Sequence, residues 1–182
     1  MPPLAHGGFF ADKDAFLRGK QGIELKKQEI EQKFTYRYLP YDELQFIQKT
    51  TVYRKYLSFD PEIRINKRCF EHEERYHLTI KEDALFERSK VKLKITKSEY
   101  EEIAETIHRP ELIMDVVSFA FDAWHILNFK SCVNHPIRFA EMEYKDEEDY
   151  RRTSPLVQAL PCIGNDVTYH PDYYSKNIWA KL

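Results

Sequence analysis

Apolar and polar residues alternate with a period of two through several stretches of this chain, and a period of two is the mark of a strand with one buried face. Ile30 and Phe34 alternate with Glu29, Glu31 and Lys33 in a strand that begins near Ile23. Over 62–70, Ile63 and Ile65 alternate with Arg64, Asn66 and Arg68; over 76–81, Tyr76, Leu78 and Ile80 oppose His77, Thr79 and Lys81. Over 90–95, Val91, Leu93 and Ile95 oppose Lys90, Lys92 and Lys94. The stretch 52–59 is rich in β-branched and aromatic residues, and three more strands are predicted near 112–120, 123–130 and 136–144. The period then changes. Thr96 and Glu99 are spaced as a capping box, and Tyr100, Ile103, Ala104 and Ile107 fall on one face of a helix. Pro40 followed by Asp42 and Glu43 predicts a short helix over 40–47, and Asp146 opens a short charged helix. A proline-bounded segment, 155–161, and a last stretch after Gly164 complete the tail. The sum is about eight strands with two or three helices, an α+β, mainly β protein.

Composition narrows the function. The 182 residues suit one domain, 23–182, preceded by a loose extension over 1–22 that holds most of the glycines. Apolar residues at 42% exclude wholesale disorder. Lys and Arg number 28 against 30 Asp and Glu, so the net charge of -2 removes the simplest argument for a nucleic-acid or membrane partner. No glycine lies between Gly22 and Gly164, which leaves no room in the body for a glycine-rich phosphate loop. Any phosphate must be held by side chains. Cys69, Cys132 and Cys162 are scattered and odd in number, giving neither a zinc motif nor a disulfide framework. With no long apolar run, the chain reads as a soluble cytoplasmic protein.

The charged strand faces admit two arrangements. They can face water on an open antiparallel sheet, with Lys90, Lys92 and Lys94 protecting an edge. Alternatively they converge inside an eight-stranded antiparallel barrel or tunnel whose apolar faces pack outward against helices. A charged interior then needs compensation by opposite charge, metal or a polyanion. On the inward model, Glu29 and Glu31 from the first strand meet Glu141 and Glu143 from the last, a carboxylate group suited to Mg²⁺ or Mn²⁺. Lys33, Arg64, Arg68, Lys81, Lys90, Lys92 and Lys94 share those faces and suit a polyphosphate. His77 and His125 can face the tunnel but read rather as hydrogen-bonded structural residues, and Cys69 as a packed side chain.

Glu29-Ile30-Glu31-Gln32-Lys33 resembles the ExExK motif of the CYTH superfamily, the triphosphate tunnel metalloenzymes. The likeness continues in order through Glu62-Ile63-Arg64-Ile65-Asn66-Lys67-Arg68, Leu78-Thr79-Ile80-Lys81, Ile95-Thr96-Lys97-Ser98-Glu99, Ala140-Glu141-Met142-Glu143-Tyr144 and the segment from Gly164. The resemblance implies a tunnel that binds an inorganic, organic or nucleoside triphosphate with Mg²⁺ or Mn²⁺ and hydrolyses it. By position, Glu29, Glu31, Glu141 and Glu143 would be metal ligands, Lys33, Arg64 and Lys81 phosphate ligands, and Glu29, Glu31 and Lys33 the catalytic set. The partner is then a small-molecule polyphosphate or nucleoside triphosphate, with no nucleic acid or membrane and a homodimer left open. The sequence departs from the family pattern where Lys90, Lys92 and Lys94 replace acids, where Asp115-Val116-Val117 replaces a basic pair, and at Trp124–Phe129, which lacks acids. These departures favour an alternative, a polyphosphate- or nucleotide-binding module without catalysis. Adenylate cyclase activity, also found in the family, is a weaker alternative.

Overall fold

The computed structural model describes residues 23–82 and 87–182, with backbone pairing alone for 23–29 and 87–88. The extension expected over 1–22 lies outside the described residues. Among the described residues, nine strands alternate with three α-helices: β1 (Ile23–Tyr36), β2 (Gln45–Phe59), β3 (Glu62–Cys69), β4 (Glu74–Lys81), β5 (Glu87–Ile95), α1 (Lys97–Glu105), β6 (Leu112–Ala120), β7 (Ile126–Cys132), β8 (Arg138–Tyr144), α2 (Glu147–Gln158), β9 (Ile163–Asp166) and α3 (Ser175–Trp179). The strands form one antiparallel sheet in the order β5-β4-β3-β2-β6-β7-β8-β1-β9, with a further pairing of β5 to β1. β1 pairs with β5 from Ile23 to Ile30 and with β8 from Ile30 to Phe34. The sheet is thus rolled on itself without closing as a regular barrel, and β9 adds a ninth strand beside β1. β5 is partnered on both sides, so its lysines do not guard an edge.

The open question about the charged faces is answered by where the apolar faces pack. Ile65, Tyr76 and Ile95 pack outward under Tyr100 of α1. Ile30, Phe34, Phe119, Leu127, Phe129, Met142 and Tyr144 pack outward with Val157 of α2. The charged faces of β1, β3, β4, β5 and β8 therefore line the inside. One stretch of inner wall is apolar instead. Leu112, Met114 and Val116 of β6 are covered by Ile178 and Trp179 of α3, which is why the Asp115-Val116-Val117 segment offers no inward base.

The predicted helix over 40–47 is a correction. Glu43 and Leu44 turn back onto the Pro40 carbonyl, at 3.2 and 2.9 Å, and β2 starts at Gln45. Phe46 meets Phe119 edge to face across the β2–β6 pairing, so long-range pairing overrides the helix-start signal after one turn. The capping box of α1 forms as predicted, with Glu99 N–H donating to Thr96 Oγ1 at 3.1 Å and Thr96 N–H to Glu99 Oε2 at 2.8 Å.

His125, in the β6–β7 turn, has the structural role expected of it. Nδ1 meets Asp122 at 2.8 Å, and Nε2 meets Asp149 in the first turn of α2 at 2.9 Å. Burial pulls the imidazole pKa down, but Asp149 and Asp122 outweigh it and raise the value above the ordinary one. Burial likewise pushes Asp149 up, and His125 with the Lys145 N–H more than offsets this, leaving its pKa at about 2. The raised histidine contributes stability below its unfolded pKa of ~6.5 and loses it as pH rises through the folded value. The depressed aspartate contributes above ~3.9 and loses it as pH falls towards its folded value. His125→Ala is accordingly expected to cost about 1–3 kcal/mol at pH ~5 and less at pH ~9, as read by urea denaturation. An equal loss at both pH values would remove the charge from the account.

Candidate functional site

The inward faces enclose a cavity of about 670 Å³. All seven predicted bases line it, together with Glu31, Glu141 and Glu143. The register explains the convergence. Glu31 lies directly across from Glu143, and Lys33 across from Glu141, on β1 and β8. Lys81 is opposite Lys90, Thr79 opposite Lys92, and His77 opposite Lys94, on β4 and β5. Glu29 pairs in the backbone with Arg88; its side chain is outside the described residues, so its place among the acids is not part of the geometry.

The acids form one cluster. Ligand oxygens of Glu31, Glu141 and Glu143 all lie within 4.8 Å of one another. Glu31 and Glu141 are buried, and three ammonium groups hold them. Lys33 bonds Glu31 and stands 3.7 Å from Glu141; Lys81 is 3.6 Å from Glu31; Lys130 bonds Glu141. Lys90 reaches Glu143 at 3.7 Å. Burial pushes the Glu141 carboxyl up, but Lys130 beside it, helped by Lys33, brings it below the ordinary value. The same burial lowers the Lys130 ammonium despite Glu141. An all-carboxylate set of this kind fits a hard divalent cation, which prefers oxygen ligands.

Taken as a whole, the lining is cationic. Ten Lys and Arg side chains face four Glu in the cavity wall. Arg68 lies directly opposite Arg75 on the neighbouring strand, a like-charge juxtaposition that costs free energy when nothing compensates it. Burial, followed by Lys92, Arg68, Arg75 and Lys94, drives His77 down to about 4, so its ring is neutral at neutral pH. His77 thus belongs to the cavity wall, the lesser of the two places expected for it. Burial and the neighbouring Arg64 lower Arg54, and burial and Arg54 lower Arg68. The wall is a positive field without enough internal anions.

Sequence reading missed several of these groups. Arg54 sits on β2 between Val52 and Tyr56 on the inner face, so no charged alternation marks it. Glu62 bonds Arg64 at 2.8 Å and is buried at the first position of β3. Lys130 shares its face with Asn128 on β7, and the Asn128-x-Lys130 spacing was the available signal. Tyr174, just before α3, lies beneath the Lys33 ammonium at 5.3 Å from its ring centre. Cys69 is half-buried beside Glu74, consistent with a packed side chain. Among the described residues, no helix is long and apolar enough to cross a membrane.

No family model and no curated protein matches this chain. Solved structures do. The inorganic triphosphatase NE1496 aligns with a TM-score of 0.56 at 18% identity, covering 85% of this chain and 95% of that one. The PH1819 protein of Pyrococcus horikoshii aligns with a TM-score of 0.58 at 14% identity, over 75% and 93%. HpAC1 from Hippeastrum, a candidate adenylyl cyclase with a dominant triphosphatase activity, aligns with a TM-score of 0.51 at 11% identity, over 73% and 85%. The chain has a CYTH-like fold.

Proposed function

We propose that this chain, as one domain over 23–182, binds a small triphosphate-bearing molecule in its cavity together with Mg²⁺ or Mn²⁺, and hydrolyses it. The observation that carries the reading is the excess of inward cations, ten against four acids, in a wall with no phosphate loop. Each phosphate oxygen is an acceptor, and lysine and arginine heads on several strands can meet a chain of them from all sides. Lys33, Arg64, Arg68, Lys81, Lys90, Lys92 and Lys94 hold the phosphates in this account. Glu31, Glu141 and Glu143, with Glu29 as the expected fourth ligand, would hold the ion. When bound, that ion supplies Lewis acidity towards phosphoryl oxygens. Glu31, Lys33 and Glu29 would orient the attack, while the remaining cations stabilise charge that builds on the equatorial oxygens. Two of the similar folds, the inorganic triphosphatase NE1496 and HpAC1 with its dominant triphosphatase activity, support the substrate class.

A second reading has its own observation. Lys90, Lys92 and Lys94 supply fixed positive charge on β5, and a site with enough fixed charge binds polyphosphate without turning it over. Phosphate release from tripolyphosphate, thiamine triphosphate and nucleoside triphosphates, with and without Mg²⁺ or Mn²⁺, separates the two. For the hydrolase, Glu31→Gln lowers metal-dependent turnover by about 10²–10³-fold. A rise in melting temperature with tripolyphosphate and no phosphate release supports the binding module. No rise at any metal concentration rejects both.

A further inference from the structure

Among the described residues the acid cluster meets at least four lysines, and one of them differs from the rest. Lys33 contacts Glu31 and Glu141, Lys81 contacts Glu31, and Lys90 contacts Glu143. These three also belong to the set that holds phosphates in the function proposed above. A lysine on a flexible stem can leave a carboxylate for a phosphate oxygen, so their charge is shared between two ligands. Lys130 has no such second role. Among the described residues its one ion pair is with Glu141, through Oε1. Glu141 lies directly across from Asn128 on β7, and Lys130, two positions on, reaches it along the diagonal. The positions around Lys130 are otherwise apolar and buried: Phe139 across on β8, Val116 across on β6, and Cys132 two residues on. The ammonium stands 5.7 Å from the centre of the Phe139 ring, and 12% of the side chain is exposed.

Such surroundings fix the charge in place. A buried ammonium stays with its carboxylate, because separating the pair leaves two uncompensated charges. The apolar wall offers Lys130 no other carboxylate. In the cluster as it stands, lysines already outnumber the three acids. A divalent ion has to add two positive charges beside them, and like charges repel more strongly as the local dielectric falls. Phosphate oxygens can relieve that repulsion by drawing off Lys33, Lys81 and Lys90. Lys130 stays on Glu141 whether or not phosphate is present.

We propose that Lys130 is a built-in counter-ion of the acid cluster, competing with the divalent metal for Glu141 and keeping the ligand-free cluster a weak metal site. This rests on the function proposed above and adds what controls its metal. Lys130 acts through Glu141 and tunes the site; it is a positioning residue, not a catalytic one.

Mn²⁺ binding to the full chain without substrate, followed by loss of the free-ion electron paramagnetic resonance signal, tests this without any turnover. Lys130→Gln, which keeps a donor for Glu141 but removes the charge, is expected to tighten Mn²⁺ by at least about tenfold. Lys130→Met should do the same, and Mn²⁺ should raise its melting temperature more than that of the wild type. Lys130→Arg, which keeps the charge, should stay within about threefold of the wild type. Arg54 is close enough to act electrostatically on Lys130 but bonds Asn66 at 2.7 Å. Arg54→Gln therefore removes a nearby charge without freeing Glu141, and should change Mn²⁺ affinity by no more than about threefold. Damage to the fold lowers metal affinity, so a rise does not come from a merely structural loss. Unchanged or weaker Mn²⁺ binding in Lys130→Gln overturns the counter-ion role and leaves triphosphate binding standing. An equal rise in Arg54→Gln does the same, because the whole positive field is then responsible. A wild-type chain whose melting temperature responds to neither Mn²⁺, tripolyphosphate nor both together overturns the proposed function and this inference at once.

Discussion

Replacing Lys130 with methionine is expected to destabilise the fold by about 3 kcal/mol at neutral pH, the lower end of what breaking a buried ion pair costs. Methionine keeps the length of the side chain and its position by Phe139, whose ring centre is 5.7 Å from the ammonium. The loss is therefore one of charge. Glu141, with 9% of its side chain exposed, is left with Lys33 at 3.7 Å, and Lys33 is already bonded to Glu31. That shared lysine is the reason for choosing the lower end. The dependence on pH has a definite sign. In the native protein Glu141 sits below its ordinary pKa, so its contribution is present above the unfolded value and lost as pH falls through the folded one. Without Lys130, burial dominates and Glu141 takes up a proton at higher pH. The stability gap between the two proteins should then narrow between pH ~7 and pH ~4.5 in urea denaturation. Adding Glu141→Gln to Lys130→Met should restore most of the loss. A gap of constant size would mean that packing, not charge, had been removed.

Lys130 also marks where sequence reading reaches its limit. The alternation in β3, β4 and β5 separates charged from apolar residues except at Lys67 and Glu74 near the strand ends, so the lining residues Arg64, Arg68, Lys81, Lys90, Lys92 and Lys94 could be read directly. The meeting of Glu31 and Lys33 with Glu141 and Glu143 was legible for a different reason: an inward-facing barrel brings first and last strands together, and the β1–β8 register agrees. On β2 and β7 the inner face mixes Val52 and Tyr56 with Arg54, and Asn128 with Lys130. Mixed faces carry no clean period, so those bases disappeared into what looked like an ordinary strand. The segment at 40–47 failed for the opposite reason. Its local helix signal is real for one turn, but pairing of β2 with β6 starts at Gln45 and decides the rest. Whether charge faced in or out was beyond local reading altogether, because it depends on α1 and α2 covering the apolar faces.

The largest functional effect is expected from reversing charge on β5. Changing Lys90, Lys92 and Lys94 together to glutamate turns a lining of ten bases and four acids into one of seven and seven. Their strand neighbours Val91, Leu93 and Ile95 point outward and are buried, so the outer packing of β5 is left in place. Metal-free affinity for tripolyphosphate should fall by at least about 100-fold, since charge-assisted hydrogen bonds are lost and repulsion replaces them. Wild-type affinity should itself weaken with added salt, as a site built on fixed charge requires. The reversed protein should regain part of its affinity when Mg²⁺ is added, because three new carboxylates need a divalent ion where the lysines did not. His77 supplies a control that is independent of ligand. Lys92 and Lys94 help to hold its pKa at about 4, and their reversal should raise it, as read from the imidazole resonance across a pH titration. A raised His77 pKa with undiminished metal-free binding would place the phosphates elsewhere and reject β5 as part of the site. A raised pKa with lost binding that Mg²⁺ partly restores would mean that lysines on this strand do the work that bound metal does when acids stand there.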